Sequence, residues 1–161
     1  MLILGIDPGF GRTGWGVIEE ARGSLKMIDY GCVETKNGED FSERLDVLYE
    51  EIREKIKKFK PDLIAVEELF FYKNITTAIK VSHARGVILL AAKRARARIE
   101  EFTPLQVKQA VSGYGGADKK QVQQMVRVLL NLKEIPKPDD AADALAIAIC
   151  AAGNKICQFR N

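Results

Sequence analysis

Leu2-Ile-Leu-Gly-Ile-Asp7-Pro-Gly9-Phe-Gly11-Arg-Thr-Gly14-Trp-Gly-Val-Ile18 is the stretch that decides the kind of sheet this chain builds. Leu2 to Asp7 is a short apolar run ending in an acid, and Gly9 to Gly14 matches the dinucleotide-binding pattern G-x-G-x-x-G. That pattern works only if a helix opens at the glycines, so that its first amides meet a pyrophosphate. Here Trp15-Gly16-Val17-Ile18 continues as another strand. The glycines therefore read as a tight turn between antiparallel strands, through positive φ and close backbone approach, without a bound nucleotide.

Outward from that turn, Gly14 to Ala21 and Leu25 to Thr35 are strand-like and meet at Arg22-Gly23-Ser24, so the chain opens as an antiparallel meander. Phe41 to Phe59 has helical spacing, with Leu45, Leu48, Ile52, Ile56 and Phe59 on one side and Ser42 as its expected cap. Leu63 to Glu67 reads as a buried strand, Asn74 to Arg94 as a long helix and Arg98 to Phe102 as a strand. Helices follow over Thr103 to Val111, Asp118 to Leu130 and Asp139 to Ala152. This order predicts an α/β fold with a mixed sheet. At 161 residues and 47% hydrophobic, with no repeat or linker, residues 1–161 are read as one domain. No apolar run nears the roughly 20 residues of a membrane span, and Met1 leads directly into Leu2-Ile3-Leu4. A soluble cytoplasmic protein with no membrane partner is expected. The odd count of Cys32, Cys150 and Cys157, without C-x-x-C, supports neither a disulfide framework nor a thiolate zinc site.

Net charge is only +3, but it is unevenly spread. Residues 1–68 hold 10 Lys/Arg and 15 Asp/Glu, whereas residues 69–138 hold 13 and 4. Between Leu69 and Ile99 lie Lys73, Lys80, Arg85, Lys93, Arg94, Arg96 and Arg98 and no acid, a footprint suited to a polyphosphate partner. Phe70-Phe71-Tyr72 precede Lys73 at a strand-to-helix loop, where aromatic faces can stack on unpaired bases. His83 reads as a packing or surface residue. Gly86 inside a helix costs about 1 kcal/mol relative to alanine, which points to close approach of another backbone, with that of a dimer mate as the expected partner.

The unusual feature is acid in apolar surroundings. Asp7 closes Leu-Ile-Leu-Gly-Ile, Glu67 and Glu68 close Leu-Ile-Ala-Val, and Asp140 and Asp143 lie among alanines. Each alone could be a turn residue, a strand end or a helix cap. Together they call for a shared cation, because burying unpaired carboxylates is costly. If the first strand and the strand after the first helix are parallel neighbours, Asp7 and Glu67 emerge together at their carboxyl ends, where open α/β sheets place sites. Hard oxygen ligands suit Mg²⁺ or Mn²⁺, and two such ions bridged by carboxylates suit phosphoryl transfer. Spacing leaves two choices open: Asp139 is as co-facial with Asp143 as Asp140 is, and alternation does not say whether Glu67 or Glu68 faces the site.

Leu4-Gly-Ile-Asp7-Pro-Gly9 with Thr13-Gly14-Trp15-Gly16, Ala65-Val-Glu67 followed by Phe70, Ala84-Arg85-Gly86-Val87, Gln106-Val-Lys108-Gln109, Gln121-Val-Gln123 and Ala141-Ala142-Asp143-Ala-Leu-Ala-Ile147 together resemble the RuvC family of bacterial Holliday-junction resolvases. The likeness spans nearly the whole chain. It implies an RNase H-like fold with a five-stranded mixed sheet flanked by helices, a homodimer, and Mg²⁺-dependent nicking of four-way junction DNA. The family's acidic tetrad falls on Asp7, Glu67, Asp140 and Asp143, with Glu68 and Asp139 as bystanders; some relatives carry His at the position of Asp140. On this reading two Mg²⁺ ions, replaceable by Mn²⁺, serve a hydrolysis that leaves 5′-phosphate and 3′-hydroxyl ends. Lys108 and Lys119 match lysines close to the scissile phosphate, Phe70 matches the residue inserted at the crossover, and Lys73, Lys80 and Arg85 are the remaining candidate DNA contacts. A branch-migration motor is the expected further partner. Rival readings are a non-catalytic junction-binding module, an actin-like ATP-dependent enzyme, which would need a second lobe, and an RNase H-like nuclease acting on RNA.

Overall fold

Five strands form one sheet in the order β3-β2-β1-β4-β5: β1 (Leu2–Asp7), β2 (Arg12–Ala21), β3 (Ser24–Glu34), β4 (Leu63–Glu67) and β5 (Arg98–Phe102). They come from a computed structural model that describes residues 1–68 and 75–158, with side chains over 1–68 and 76–154. The first three strands are an antiparallel meander, while β4 runs parallel to β1 and β5 parallel to β4. The mixed, five-stranded sheet expected from the sequence is therefore present.

Strand alternation divides the core in two. Leu4, Ile6, Ile64 and Val66 point to one face, covered by α1 (Phe41–Phe59) and α2 (Ile75–Arg94). Ile3, Leu63 and Ala65 point to the other, covered by α3 (Pro104–Ser112), α4 (Lys119–Leu129) and α5 (Asp139–Gln158). Asp7 has the parity of Ile3, and Glu67 that of Leu63 and Ala65, so both acids belong to the α5 side. Ile6 pairs with Val66 in parallel register, which brings the two strand ends together.

Helix α5 lies flat on this face. From Ala141 to Ala152 every residue is buried except Asp143, which is half-buried. So close a seat requires small groups on both sides. A Cβ on Gly5 would stand 2.1 Å from the Ala144 carbonyl oxygen, and one on Gly14 would stand 1.9 Å from the Asp140 carbonyl oxygen. The alanines of α5 and these glycines let backbone meet backbone, with Leu145 and Ile147 filling the space alongside.

Several local details differ from the sequence reading. Asp40, not Ser42, caps α1: its carboxylate accepts from the Ser42 amide and hydroxyl at 2.8 and 2.5 Å, because the helix begins one residue before the serine. Capping boxes of Thr103 with Gln106 and Asp118 with Gln121 start α3 and α4. Helix α5 continues past Ala152 to Gln158, since Gly153 weakens a helix but does not end it in the absence of a left-handed turn or proline. Gly9 is needed for space rather than positive φ: its Cβ would lie 1.9 Å from the Arg12 carbonyl oxygen.

Gly5→Ala is expected to destabilise the protein by about 1–3 kcal/mol or more, since the added methyl meets main-chain atoms that can yield only by lifting α5. Urea unfolding of the variant checks this; an unchanged midpoint would mean that α5 is not held by this contact.

Candidate active site

The seat of α5 builds the site. Gly14 pairs with Asp7 across β1 and β2 and lies against the Asp140 backbone, so the first turn of α5 is fixed beside the end of β1. Asp140 and Asp143 are three residues apart and project from one helical face. Asp7, Glu67 and Asp143 line a cleft of about 200 Å³, closed on the far side by Pro104, Val107, Lys108, Lys119 and Val122 of α3 and α4.

The electrostatics follow from the proximity of these acids. Burial raises the Asp7 carboxyl well above its usual range, and the charges of Glu67, Asp143 and Asp140 add to this, opposed by Lys119. Burial, then the charge of Asp143, pushes Glu67 up to about 7 despite Lys108 and Lys119. Asp143 is raised as well, chiefly by burial. Burial works against the charge of Lys119, yet its hydrogen bond and ion pair with Asp143 keep its pKa above normal. The Lys119 ammonium lies 2.8 Å from Asp143 and 3.8 Å from Asp139.

Both choices that spacing left open acquire geometry. Glu67 lines the cleft; Glu68 follows the strand and its amide donates to the Phe102 carbonyl at 2.8 Å. Neither Asp139 nor Asp140 lines the cleft: Asp140 is half-buried, 4.0 Å from Arg12, and its charge raises Asp7 and Asp143, whereas Asp139 is exposed, 3.8 Å from Lys119, and its charge raises Asp143. The donor set fits a divalent cation in kind: carboxylate oxygens without sulfur or imidazole, desolvated and mutually repelling. Among the described residues no three ligands already converge into a closed cage. Instead Lys119 supplies positive charge to the acids through its contact with Asp143.

Other expected residues are placed less uniformly. Lys108 lines the cleft with Lys119. Lys80 stands 5.8 Å from the ring centroid of Phe10, in the loop that follows Asp7. The Arg85 guanidinium is engaged by Glu101. Phe70 and Lys73 lie outside the described residues. The basic run is not one patch: Arg98 pairs with Leu63 at the start of β4, the end of the sheet opposite Glu67, and Lys93, Arg94 and Arg96 precede it. His83 packs as expected, its ring edge on Phe41 at 5.3 Å and Nδ1 2.7 Å from the Ile79 carbonyl. Sequence reasoning passed over Arg12, 2.9 Å from Glu34 and 4.0 Å from Asp140. It also passed over Arg44, a buried arginine whose only signal was its i, i+4 phase with Leu48, Ile52 and Ile56.

A carboxyl whose folded pKa is raised binds protons more tightly in the folded protein, so its ionisation costs stability as pH rises from the unfolded toward the folded value. For Glu67 that window runs from 4.5 to about 7. In the absence of metal, Glu67→Gln is therefore expected to be more stable than the parent at pH 8, with the difference vanishing below the window. Paired thermal melts at the two pH values check this; a variant no more stable at pH 8 would contradict the burial of Glu67.

Comparison with known proteins gives one consistent result. The family described as crossover junction endodeoxyribonuclease RuvC matches residues 3–151. Proteins of that name from Desulfitobacterium hafniense and Ruminiclostridium cellulolyticum are 60% and 57% identical, covering 94% and 93% of this chain and 92% and 90% of theirs. The solved Thermus thermophilus RuvC structure superposes with a TM-score of 0.91 at 39% identity, covering 98% of this chain and 97% of that one. The same protein solved in complex with a Holliday junction substrate gives 0.88 at 38% identity, covering 98% and 96%. The sheet with its two helical layers is thus an RNase H-like fold, and the chain belongs to the RuvC family of crossover junction endodeoxyribonucleases.

Proposed function

We propose that this chain resolves four-way DNA junctions as a homodimer, hydrolysing phosphodiesters at the cleft lined by Asp7, Glu67 and Asp143, with Asp140 on the adjoining turn of α5. The observation that carries this reading is the set of desolvated carboxylates gathered with Lys108 and Lys119 at the carboxyl ends of parallel strands. The match to a RuvC structure solved with a junction substrate supports the substrate class.

The four carboxylates would hold two Mg²⁺ ions, with Mn²⁺ able to substitute, and these supply Lewis acidity to the attacking water and the leaving 3′ oxygen. The protein's own contribution is placement and charge. Asp7 and Glu67 sit on strand ends that packing holds still, while Asp140 and Asp143 ride on a helix clamped to the same strands. Lys119 pairs with Asp143, and with Asp143 engaged by a cation its ammonium would be available beside Lys108 to hold the non-bridging oxygens of the scissile phosphate. In-line attack from this arrangement leaves 5′-phosphate and 3′-hydroxyl ends.

A four-way junction needs two matched nicks, and one cleft reaches only one strand. The outer face of α2 supplies a surface for a second copy: Ile79 and Leu90 are 53% and 48% exposed, and a Cβ on Gly86 would meet nothing of this chain within 4 Å. A self-complementary contact there gives a C2 dimer. A branch-migration motor as further partner rests on the family resemblance alone.

Asp7→Asn is expected to lower junction nicking by a factor of about 100 or more while leaving junction affinity within about twofold, since it removes a metal ligand but not the basic surface. Asp139→Asn should cleave as the parent does and Asp143→Asn should not; equal inactivity of the two would shift the register on α5 by one residue. For the assembly, light scattering should give a dimer mass, and a cruciform plasmid should be linearised within one binding event. A monomer that accumulates nicked circles would overturn the coupled-site reading.

A further inference from the structure

The loop between β1 and β2, which begins directly after Asp7, is fastened from outside the site. Thr13, almost fully buried, donates its hydroxyl proton to the Gly9 carbonyl at 2.7 Å and accepts from the Gly9 amide at 3.3 Å, closing the loop on itself. The Thr35 amide donates to the Gly11 carbonyl at 3.1 Å and its hydroxyl to the Phe10 carbonyl at 2.9 Å, tying the loop to the end of β3. Arg44 of α1 then grips both partners. Its Nε donates to Thr35 Oγ1 at 3.0 Å, Nη2 donates to the Phe10 carbonyl at 3.3 Å, and its guanidinium carbon lies 3.9 Å from the Phe10 ring centroid.

Arg44 is only 9% exposed. Its partners among the described residues are a hydroxyl, a main-chain carbonyl and an aromatic face, none of them a carboxylate. A buried cation without a counter-charge is a poor way to gain stability, because its desolvation is not offset by an ion pair. A planar fork with fixed donor angles is, however, a good way to fix a carbonyl and a ring in one orientation. Phe10 is also stacked on Phe41 at 4.9 Å, and Phe41 meets His83 of α2 edge-on. The loop is thereby joined to the same α2 face to which the dimer contact is assigned.

We propose that Arg44 is a positioning residue for the nuclease site: by clamping Phe10 and Thr35 it fixes the loop after Asp7, and so the direction in which the Asp7 carboxylate is presented to the metal. This rests on the reading of Asp7 as a metal ligand. Arg44 itself does not line the acidic cleft and lies on α1, on the other face of the sheet from α5.

Arg44→Met keeps the reach and the packing but removes the fork, Arg44→Lys keeps the charge with a single donor point, and Thr35→Val removes the shared hydroxyl. With a synthetic four-way junction and saturating Mg²⁺, Arg44→Met should lose about 10- to 100-fold in kcat with KM within about twofold. Titration of Mn²⁺ without DNA, followed calorimetrically, should show about 10-fold weaker binding. Arg44→Lys should recover part of both losses. Thr35→Val should move both in the same direction, and its effect should shrink when combined with Arg44→Lys, since the two act on one carbonyl. If Arg44→Met does not fold, the Lys and Thr35 variants carry the same test. Parental kcat and Mn²⁺ affinity in a folded Arg44 variant would overturn the inference, as would a rise in KM at constant kcat, which would make Arg44 a DNA contact. Asp7→Asn separates this from the reading beneath it. An active Asp7→Asn enzyme removes that reading; an inactive one beside fully active Arg44 variants removes only the positioning role.

Discussion

Where Gly5 and Gly14 lack side chains, the main chain of α5 comes to rest against the main chain of β1 and β2, and the acidic site follows from that contact. A helix carrying Leu or Val at its interface would stand off the sheet by the usual interaxial spacing. Its first turn would then leave Asp140 and Asp143 removed from Asp7. Alanine on the helix and glycine on the strands remove that gap, and Gly14 does so at the residue paired with Asp7. The same substitution pattern that closes the core on this face therefore sets the separation of the carboxylates.

Such a site costs stability. Burial raises the carboxyls of Asp7, Glu67 and Asp143 above their usual range, the charge of Asp143 adds to the shift of both Asp7 and Glu67, and Glu67 is pushed up to about 7. Lys119 limits the penalty without abolishing the demand. It stands at the start of α4, where the helix dipole disfavours a cation, and its position is accounted for by Asp143 rather than by the helix. A lysine can leave such a contact by rotating its stem, whereas a bidentate arginine would hold the carboxylate in place. On the proposed reading, metal capture by Asp143 and release of Lys119 would be two sides of one exchange.

Much of this was legible in the sequence, and the failures have physical causes. The meander and the mixed sheet follow from alternation and turn residues, and acids in apolar runs marked the candidates, while the choice of Asp7, Glu67, Asp140 and Asp143 came from the family resemblance. Alternation does not choose between Glu67 and Glu68, because parity has meaning only once one face is assigned to a helix; Ala65, small on the α5 side, is the trace of that assignment. The basic run between Lys73 and Arg98 misled in a different manner. Linear density of charge says nothing about where a helix and the following strand turn, and that turn carries Arg98 to the end of the sheet away from Glu67. Asp40 displaced Ser42 as a cap because both residue types serve equally well and only the starting turn decides.

Arg44 shows what a pattern-based reading discards. An arginine in phase with Leu48, Ile52 and Ile56 breaks the apolar stripe of α1 at its first buried position, the one nearest the loop that follows Asp7. An apolar residue there would serve the core as well, so the exception has to be explained by what a guanidinium alone can do, namely hold a carbonyl and a ring in one geometry. The two faces of the sheet then have distinct duties: α5 brings acids to the strand ends from one side, and α1 steadies the loop behind Asp7 from the other. Because Phe10, Phe41 and His83 continue that support to α2, the surface available for a second copy is mechanically joined to the site it would pair. On the proposed dimer, the subunit contact and the loop after Asp7 would lie on one connected set of side chains, which suits two cuts made in register.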